Sequence, residues 1–429
     1  MPTVVVFSPS LRGHRQTYCR VLAQILLDDG LDVVVVAGVD RQGGPWDASE
    51  SPQLRELEGH DRYRFIGLPE TGMPLLQRSP AGFMRLLDDV SADAVLLAEA
   101  DACISLLNAR VLRRGRPRRW VGLFIRTTNY IHERPSEGGV CPRAAVRLVR
   151  RAGRRLLRWR SDPRLFHEIL MPRLRLLDRA LYLDEFFVGT HRESASWLPD
   201  IFALHPWRNG HDSAEALAWG KRLAAFMAAQ EGRPVYVYLG APQKRRGYGT
   251  LLRLAVEEGG CFLHCGRLVD GADEWDDAGP ARTELQGRGA LFETGVYYED
   301  DATADLFLER ANAIVLPHRG HLGSSGVMLQ ALAAGRPVLV PDQGLMADRV
   351  RAHGLGRTYR AGDWDDLLRQ DRALRAEGPR GYVANIEPFM SAFSRGQVES
   401  AVRHAMGYGS ETAPLPAPTL GHGRRGARP

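Results

Sequence analysis

Lysine is almost missing from this 429-residue chain: Lys221 and Lys244 are the only two among 57 basic residues, so the formal net charge of +6 is carried by arginine. The surplus favours anionic partners, although a GC-rich genome also produces such a bias. Cysteine is sparse as well. The five present (Cys19, Cys103, Cys141, Cys261 and Cys265) are scattered, odd in number and without metal-ligand spacing. That pattern argues against a disulfide scaffold or a structural zinc and fits a reducing compartment. No apolar run reaches the roughly 18 residues of a membrane span, and the chain starts directly in an apolar strand with no leader pattern. The expected place is therefore the cytoplasm. Aromatic residues are not interleaved with the arginines as stacking platforms, which argues against nucleic acid as a partner.

What is present is most legible between residues 313 and 340. The apolar runs Ala313–Leu316 and Val338–Val340 read as buried strands. Between them, Ser324 and Ser325 are good N-caps, Gly326 allows close approach to the backbone, the run Val327–Ala334 favours helix, and Gly335 ends it. A helix that opens on small residues presents unpaired N–H groups and the positive end of its dipole, a natural seat for phosphate. A well-capped core helix between two parallel strands is the alternative reading of this segment alone.

In chain order the pattern is strand, glycine-bearing turn, helix, strand, twice over. Thr3–Phe7 is a strand, Ser8–His14 a turn, 16–29 a helix, and Asp32–Val36 the next strand. Further strands fall near Tyr63–Ile66, Ala94–Leu97, Trp120–Ile125 and Ala180–Leu183. Breakers cluster between Leu198 and Asp212, and a second series follows with strands near Val235–Leu239, Cys261–His264, Ala290–Glu293, Ala313–Leu316 and Val338–Val340. Continuously apolar strands alternating with helices indicate an α/β protein made of two Rossmann-like, doubly wound parallel sheets. The expected domains are 1–205 and 206–390, with a C-terminal helix over 391–409 packing back toward the first and a disordered tail over 410–429.

These features together resemble the GT-B glycosyltransferases of the retaining GT4 (group 1) type. They are a Gly13-His14 turn after the first strand, a basic turn opening the second half, and a Ser-Gly helix start leading to Ala-x-Ala-x-Gly-x-Pro-Val. The resemblance implies two domains facing across a cleft. A nucleotide diphosphate sugar, a UDP-sugar favoured, is held chiefly by the C-terminal domain, and a small-molecule, glycan or lipid-linked acceptor by the N-terminal one. It implies a hexosyl transfer with retention, no metal, and no cofactor beyond the nucleotide sugar as co-substrate.

Carried over residue by residue, the diphosphate would meet Gly13, His14, Ser324, Ser325 and Gly326. The turn Gly240-Ala241-Pro242-Gln243-Lys244-Arg245-Arg246-Gly247 would add Arg246 in place of the family lysine, with Lys244 or Arg245 supplying the charge that Ala241 lacks. Donor ribose, sugar and base would fall to Gln330, His318, Arg319 and Tyr297, and the chemistry to His132, Arg126 and His321. The family's two glutamates are replaced by Leu322 and Gln330. Gln330 still offers hydrogen bonds to a ribose hydroxyl, without the strength of a carboxylate. This loss keeps two alternatives open: a sugar-nucleotide epimerase or pseudo-glycosyl coupling enzyme on the same fold, and a catalytically silent nucleotide-binding or scaffold subunit.

Two further stretches need a reading. Asp363-Trp364-Asp365 looks like an Asp-x-Asp metal site, but it opens a helix, where acidic residues are favoured by the dipole. Residues 143–160 repeat Ala145, Val149, Ala152, Leu156 and Trp159 at helical spacing among eight arginines. Such a helix either lies on the anionic inner face of a membrane or is solvated with its stripe in the core.

Overall fold

The computed structural model describes residues 1–11, 14–38, 52–68, 80–103, 106, 119–125, 177–190, 195–203, 214–276, 278–295 and 301–408. The chain forms two compact units. The first holds the described residues through Leu198 together with those from Gly396 to Tyr408, and the second holds the described residues from Pro199 to Arg395.

The first unit is built on seven parallel strands. They are β1 (Thr3–Ser8), β2 (Asp32–Gly38), β3 (Tyr63–Leu68), β4 (Ala94–Leu97), β5 (Arg119–Phe124), β6 (Arg179–Tyr182) and β7 (Ala195–Trp197), in the order β3-β2-β1-β4-β5-β6-β7. Helices α1 (His14–Asp28), α2 (Pro52–Arg55), α3 (Pro80–Asp89) and α4 (Glu185–Thr190) connect them. β1 lies between β2 and β4, pairing Val5 with both Val34 and Val95, so Val4, Val5, Val6 and Phe7 are wholly buried. A strand covered on both faces needs such an unbroken apolar run. β7 does not follow from the sequence. Its three residues are too few to show a period, and they become a strand by pairing with Ala180, Leu181 and Tyr182 at the sheet edge.

The second unit carries β8 (Val235–Leu239), β9 (Cys261–Arg267) and β10 (Leu291–Gly295) in the order β10-β9-β8. β11 (Ile314–Val315), β12 (Val338–Pro341) and β13 (Gly356–Tyr359) follow in the order β11-β12-β13. β11 lies against β8. Helices α5 (Ala214–Ala228), α6 (Tyr248–Glu257), α7 (Ala278–Gly287), α8 (Asp301–Leu308), α9 (Gly326–Ala333), α10 (Gly344–His353), α11 (Trp364–Glu377) and α12 (Arg380–Ser391) surround the strands. β13 is a second strand not evident in the sequence, because Gly-Arg-Thr-Tyr has neither an apolar run nor alternation. Pairing with β12 from Gly356 to Tyr359 makes it one.

The last helix, α13 (Arg395–Met406), belongs from Gly396 onward to the first unit. Val398, Ala401, Val402 and Ala405 are wholly buried, Arg403 Nε lies 2.8 Å from Asp29, and Arg119 Nε donates to the Ala405 carbonyl at 2.9 Å. The units part between Leu198 and Pro199, seven residues before the boundary that the breaker cluster suggests, because Pro199–Ala203 packs with the second unit. The tail from 409 lies outside the described residues.

Candidate functional site

The site is assembled at the C-terminal ends of β8 and β11. Ser325 has the extended backbone of an N-cap (φ −123°, ψ 116°), and its hydroxyl accepts from the Met328 amide at 3.4 Å. The amides of Gly326 and Val327 open the helix with no hydrogen-bond acceptor among the described residues. They are left pointing out with the positive end of the α9 dipole. Ser324 does something else. Its hydroxyl donates to Asp200 Oδ2 at 2.7 Å and accepts from Arg349 at 3.0 Å, and both of those charged residues are buried. Phe202 packs beside Gly326, where an added Cβ would meet its ring at 3.3 Å. Of the two serines expected as caps, Ser325 caps and Ser324 braces.

Across from this helix start lies the turn after β8. Lys244–Arg246 is a single 3-10 turn closed by Gly247, whose φ of 69° and approach to Pro317 exclude any side chain; a Cβ there would lie 2.2 Å from the Pro317 carbonyl oxygen. The Arg319 amide donates to the Arg245 carbonyl at 2.7 Å, tying this turn to the loop after β11. Lys244 and Arg245 are exposed. Arg246 folds back, donating to the Leu239 carbonyl at 2.9 Å with its guanidinium 5.1 Å from the Tyr238 ring centre.

Beneath the turn, the wholly buried His264 places Nε2 2.9 Å from the Gly240 carbonyl and Nδ1 3.6 Å from Glu293. Glu293 is gripped by Arg282, with N–O distances of 2.6 and 3.1 Å. Burial works to raise its pKa, but His264 and Arg282 outweigh it, and the carboxyl is held below its usual range.

His318 and His321 complete the group, their ring centres 5.2 Å apart. Burial pushes the His318 pKa down to about 3, and the neighbouring His321, Arg246 and Arg245 add to the effect. The His321 pKa is lowered by burial and by the same two arginines, against the Ser324 carbonyl 2.9 Å from its Nε2. Two neutral imidazoles, a basic turn and unpaired helix amides thus share one neighbourhood. Gln330, one turn along α9, is buried, and its amide makes no hydrogen bond among the described residues.

No protein-family model matches the sequence, and no curated protein matches it. Solved structures do match. Sucrose-phosphate synthase from Thermosynechococcus elongatus aligns with a TM-score of 0.60 over 95% of this chain and 98% of its own, at 14% identity. Anabaena HepE in complex with UDP-glucose aligns at 0.59 over 95% and 100%, at 12% identity. The chain has the GT-B fold. A putative UDP-N-acetylglucosamine 2-epimerase from Listeria monocytogenes is also similar, with a TM-score of 0.56 over 95% and 97% at 10% identity.

Within the GT-B frame the residues expected at the donor separate into groups. Lys244, Arg245, Arg246, His318, His321, Ser325, Gly326 and Gln330 lie on the turns and helix start just described. Arg319 is directed elsewhere: its guanidinium bonds Asp276 and Thr250, each at 3.0 Å, away from the helix start. Gly13, Arg126, His132, Tyr297 and the 143–160 segment lie outside the described residues, and His14 opens α1. Asp363 caps α11, accepting from the Asp366 amide at 2.9 Å. Among the described residues no group of three or more His, Cys, Asp or Glu is placed to hold a metal, and no helix is long and apolar enough to cross a membrane. Asp200, Arg349, His264, Glu293 and Arg282 carry no local motif. Their only sequence signal is a charged or polar residue at a strand or turn position that burial makes costly.

Proposed function

We propose that this chain is a metal-independent glycosyltransferase that takes a sugar from a nucleotide diphosphate sugar, a UDP-sugar favoured, and passes it to a hydroxyl with retention at the anomeric carbon. The observation that carries the reading is one neighbourhood, joined through His321, that holds two anion-seeking elements: the free amides of Gly326 and Val327, and the Lys244–Arg246 turn. A leaving diphosphate gains negative charge as the bond to the sugar breaks. Fixed N–H groups and guanidinium groups stabilise that charge without reorganising. Gln330 would donate to or accept from a ribose hydroxyl, and the neutral His321 would serve the donor sugar where Leu322 offers no polar group. The complexes of HepE with UDP and UDP-glucose support a uridine donor. The setting we infer is cytoplasmic, with residues 143–160 against an anionic membrane face when the acceptor is lipid-linked.

A thermal-shift panel of UDP, GDP, dTDP and ADP tests the donor, since ligand at 100 times its Kd adds about 2.7 kcal/mol. UDP should give the largest shift, in EDTA as in magnesium. No shift with any nucleotide defeats the reading. Incubation with UDP-sugars then separates reactions. Transfer or slow hydrolysis supports the proposal, whereas a 2-epimerised product supports the second reading, which the Leu322 substitution and the Listeria neighbour favour. Tight binding with no turnover indicates a silent subunit.

A further inference from the structure

Asp200 and Arg349 have no part in the proposed diphosphate site, yet they meet immediately before it. The Ser324 hydroxyl, two positions ahead of Gly326, accepts from Arg349 Nη1 at 3.0 Å and donates to Asp200 Oδ2 at 2.7 Å. Asp200 is 3% exposed and Arg349 is wholly buried, so a carboxylate and a guanidinium stand within hydrogen-bond reach of one oxygen beside the first turn of α9. Each belongs with a segment where the chain passes between its units. Asp200 follows the first passage, at Leu198–Pro199, and Phe202 from the same segment packs beside Gly326. Phe393, two residues before the second passage, at Arg395–Gly396, has its ring centre 5.5 Å from the Arg349 guanidinium.

Support of the helix start does not by itself call for charge. Withdrawing two ions from water is costly, and neutral side chains of similar volume often hold a fold as well or better. What the charges change here is the potential at the Gly326 and Val327 amides. A carboxylate beside the first turn of a helix is attracted by the positive end of the dipole and competes with any other anion for it. The Arg349 cation, on the same serine oxygen, offsets that competition and leaves the amides to a ligand. The side-chain amide of Gln330, 6% exposed and without a hydrogen bond among the described residues, is a second group on the same helix that a ligand would satisfy.

We propose that Asp200 and Arg349 are positioning residues of opposite sign for an anion at the start of α9: Arg349 raises its affinity, Asp200 lowers it, and Ser324 holds the two in balance. This deepens the donor reading, on which the identity of the anion as a nucleotide diphosphate rests.

Replacements that change charge with little change of shape test it at constant ionic strength. Arg349→Gln keeps a donor for Ser324, and Asp200→Asn keeps an acceptor. Calorimetric titration with UDP, and with inorganic pyrophosphate as the bare anion, should show affinity weakened by roughly 10-fold in Arg349→Gln and tighter than the parent's in Asp200→Asn. Thermal unfolding should nevertheless find both variants less stable than the parent, since each leaves one buried charge without the other. A purely mechanical brace would move both affinities in the same direction or move neither. The proposal is overturned by unchanged affinity in Arg349→Gln, or by an affinity in Asp200→Asn no tighter than the parent's; the second result decides alone if Arg349→Gln does not fold. Tyr236→Phe, which removes a buried 2.7 Å hydrogen bond to Asp371 elsewhere in the second unit, is the stability control and should keep the parent affinity. An equal loss there overturns the proposal, because destabilisation alone would then explain Arg349→Gln. Pyrophosphate binding without UDP binding defeats the nucleotide reading and leaves this one to be decided on pyrophosphate, whereas binding of neither by the parent overturns both.

Discussion

His318 and His321 stand beside Arg245 and Arg246, and burial keeps both rings in the neutral form. The sign of the resulting pH dependence follows from linkage. The unfolded chain takes up a proton near the ordinary histidine value of about 6.5, and the folded chain does so only near pH 3 at His318. Between those limits the unfolded state binds more protons, so stability falls as pH drops below about 6.5, by up to about 1.4 kcal/mol per pH unit for one such group. Urea unfolding at pH 7 and pH 5 should show this loss in the parent chain and a smaller one in His318→Asn.

Arg246 gives a second expectation at this scale. Arg246→Ala should lower UDP affinity or kcat/KM by roughly 100-fold, in the range of a lost transition-state donor. Lys244→Ala, an exposed residue, should cost much less. That a cationic turn stands here is legible in Lys244-Arg245-Arg246. Which of the three faces inward is not legible, because Arg246 is turned by the Leu239 carbonyl and the Tyr238 ring, which local sequence does not place.

α9 owes its position to its own cap and to a brace from a distant segment. Ser325→Ala removes a local N-cap and should cost about 1 kcal/mol. Ser324→Ala removes hydrogen bonds to two buried charged groups, Asp200 and Arg349, each worth roughly 1.5–3 kcal/mol. Chemical denaturation should therefore find Ser324→Ala the more harmful of two neighbouring, chemically identical changes; equal costs would remove the brace from the account. The turn after β8 is held in the same way, from below by His264 and Glu293 and from the side by the Arg319 amide. The helix start at Ser325 and the basic turn after β8 are both legible in the sequence, since capping and turn chemistry act over three or four residues. Their supports are not, because they act from other strands.

The first unit ends in residues at the far end of the chain. α13 contributes Val402, wholly buried, and Arg403, whose ion pair with Asp29 leaves its side chain 33% exposed. Val402→Asp places an unpaired carboxylate in a core and should lower stability by several kcal/mol. Arg403→Ala loses a partly screened pair worth about 0–1 kcal/mol. Thermal unfolding of the two variants checks the contrast; similar melting temperatures would mean that α13 does not belong to the folded core of that unit.

The sequence by itself determined the alternation of strands and helices, the helix start at residues 325–326, the basic turn after β8 and the presence of two α/β units. All of these rest on short-range propensity and on apolar periodicity, which any window of a dozen residues displays. Only the tertiary structure decided that Ser324 meets a carboxylate 124 positions earlier, that β7 and β13 become strands, and that the last helix completes the first sheet's core. Those outcomes follow from burial: a polar group or an edge strand gains its partner when distant segments close over it, and no local pattern encodes which segment arrives.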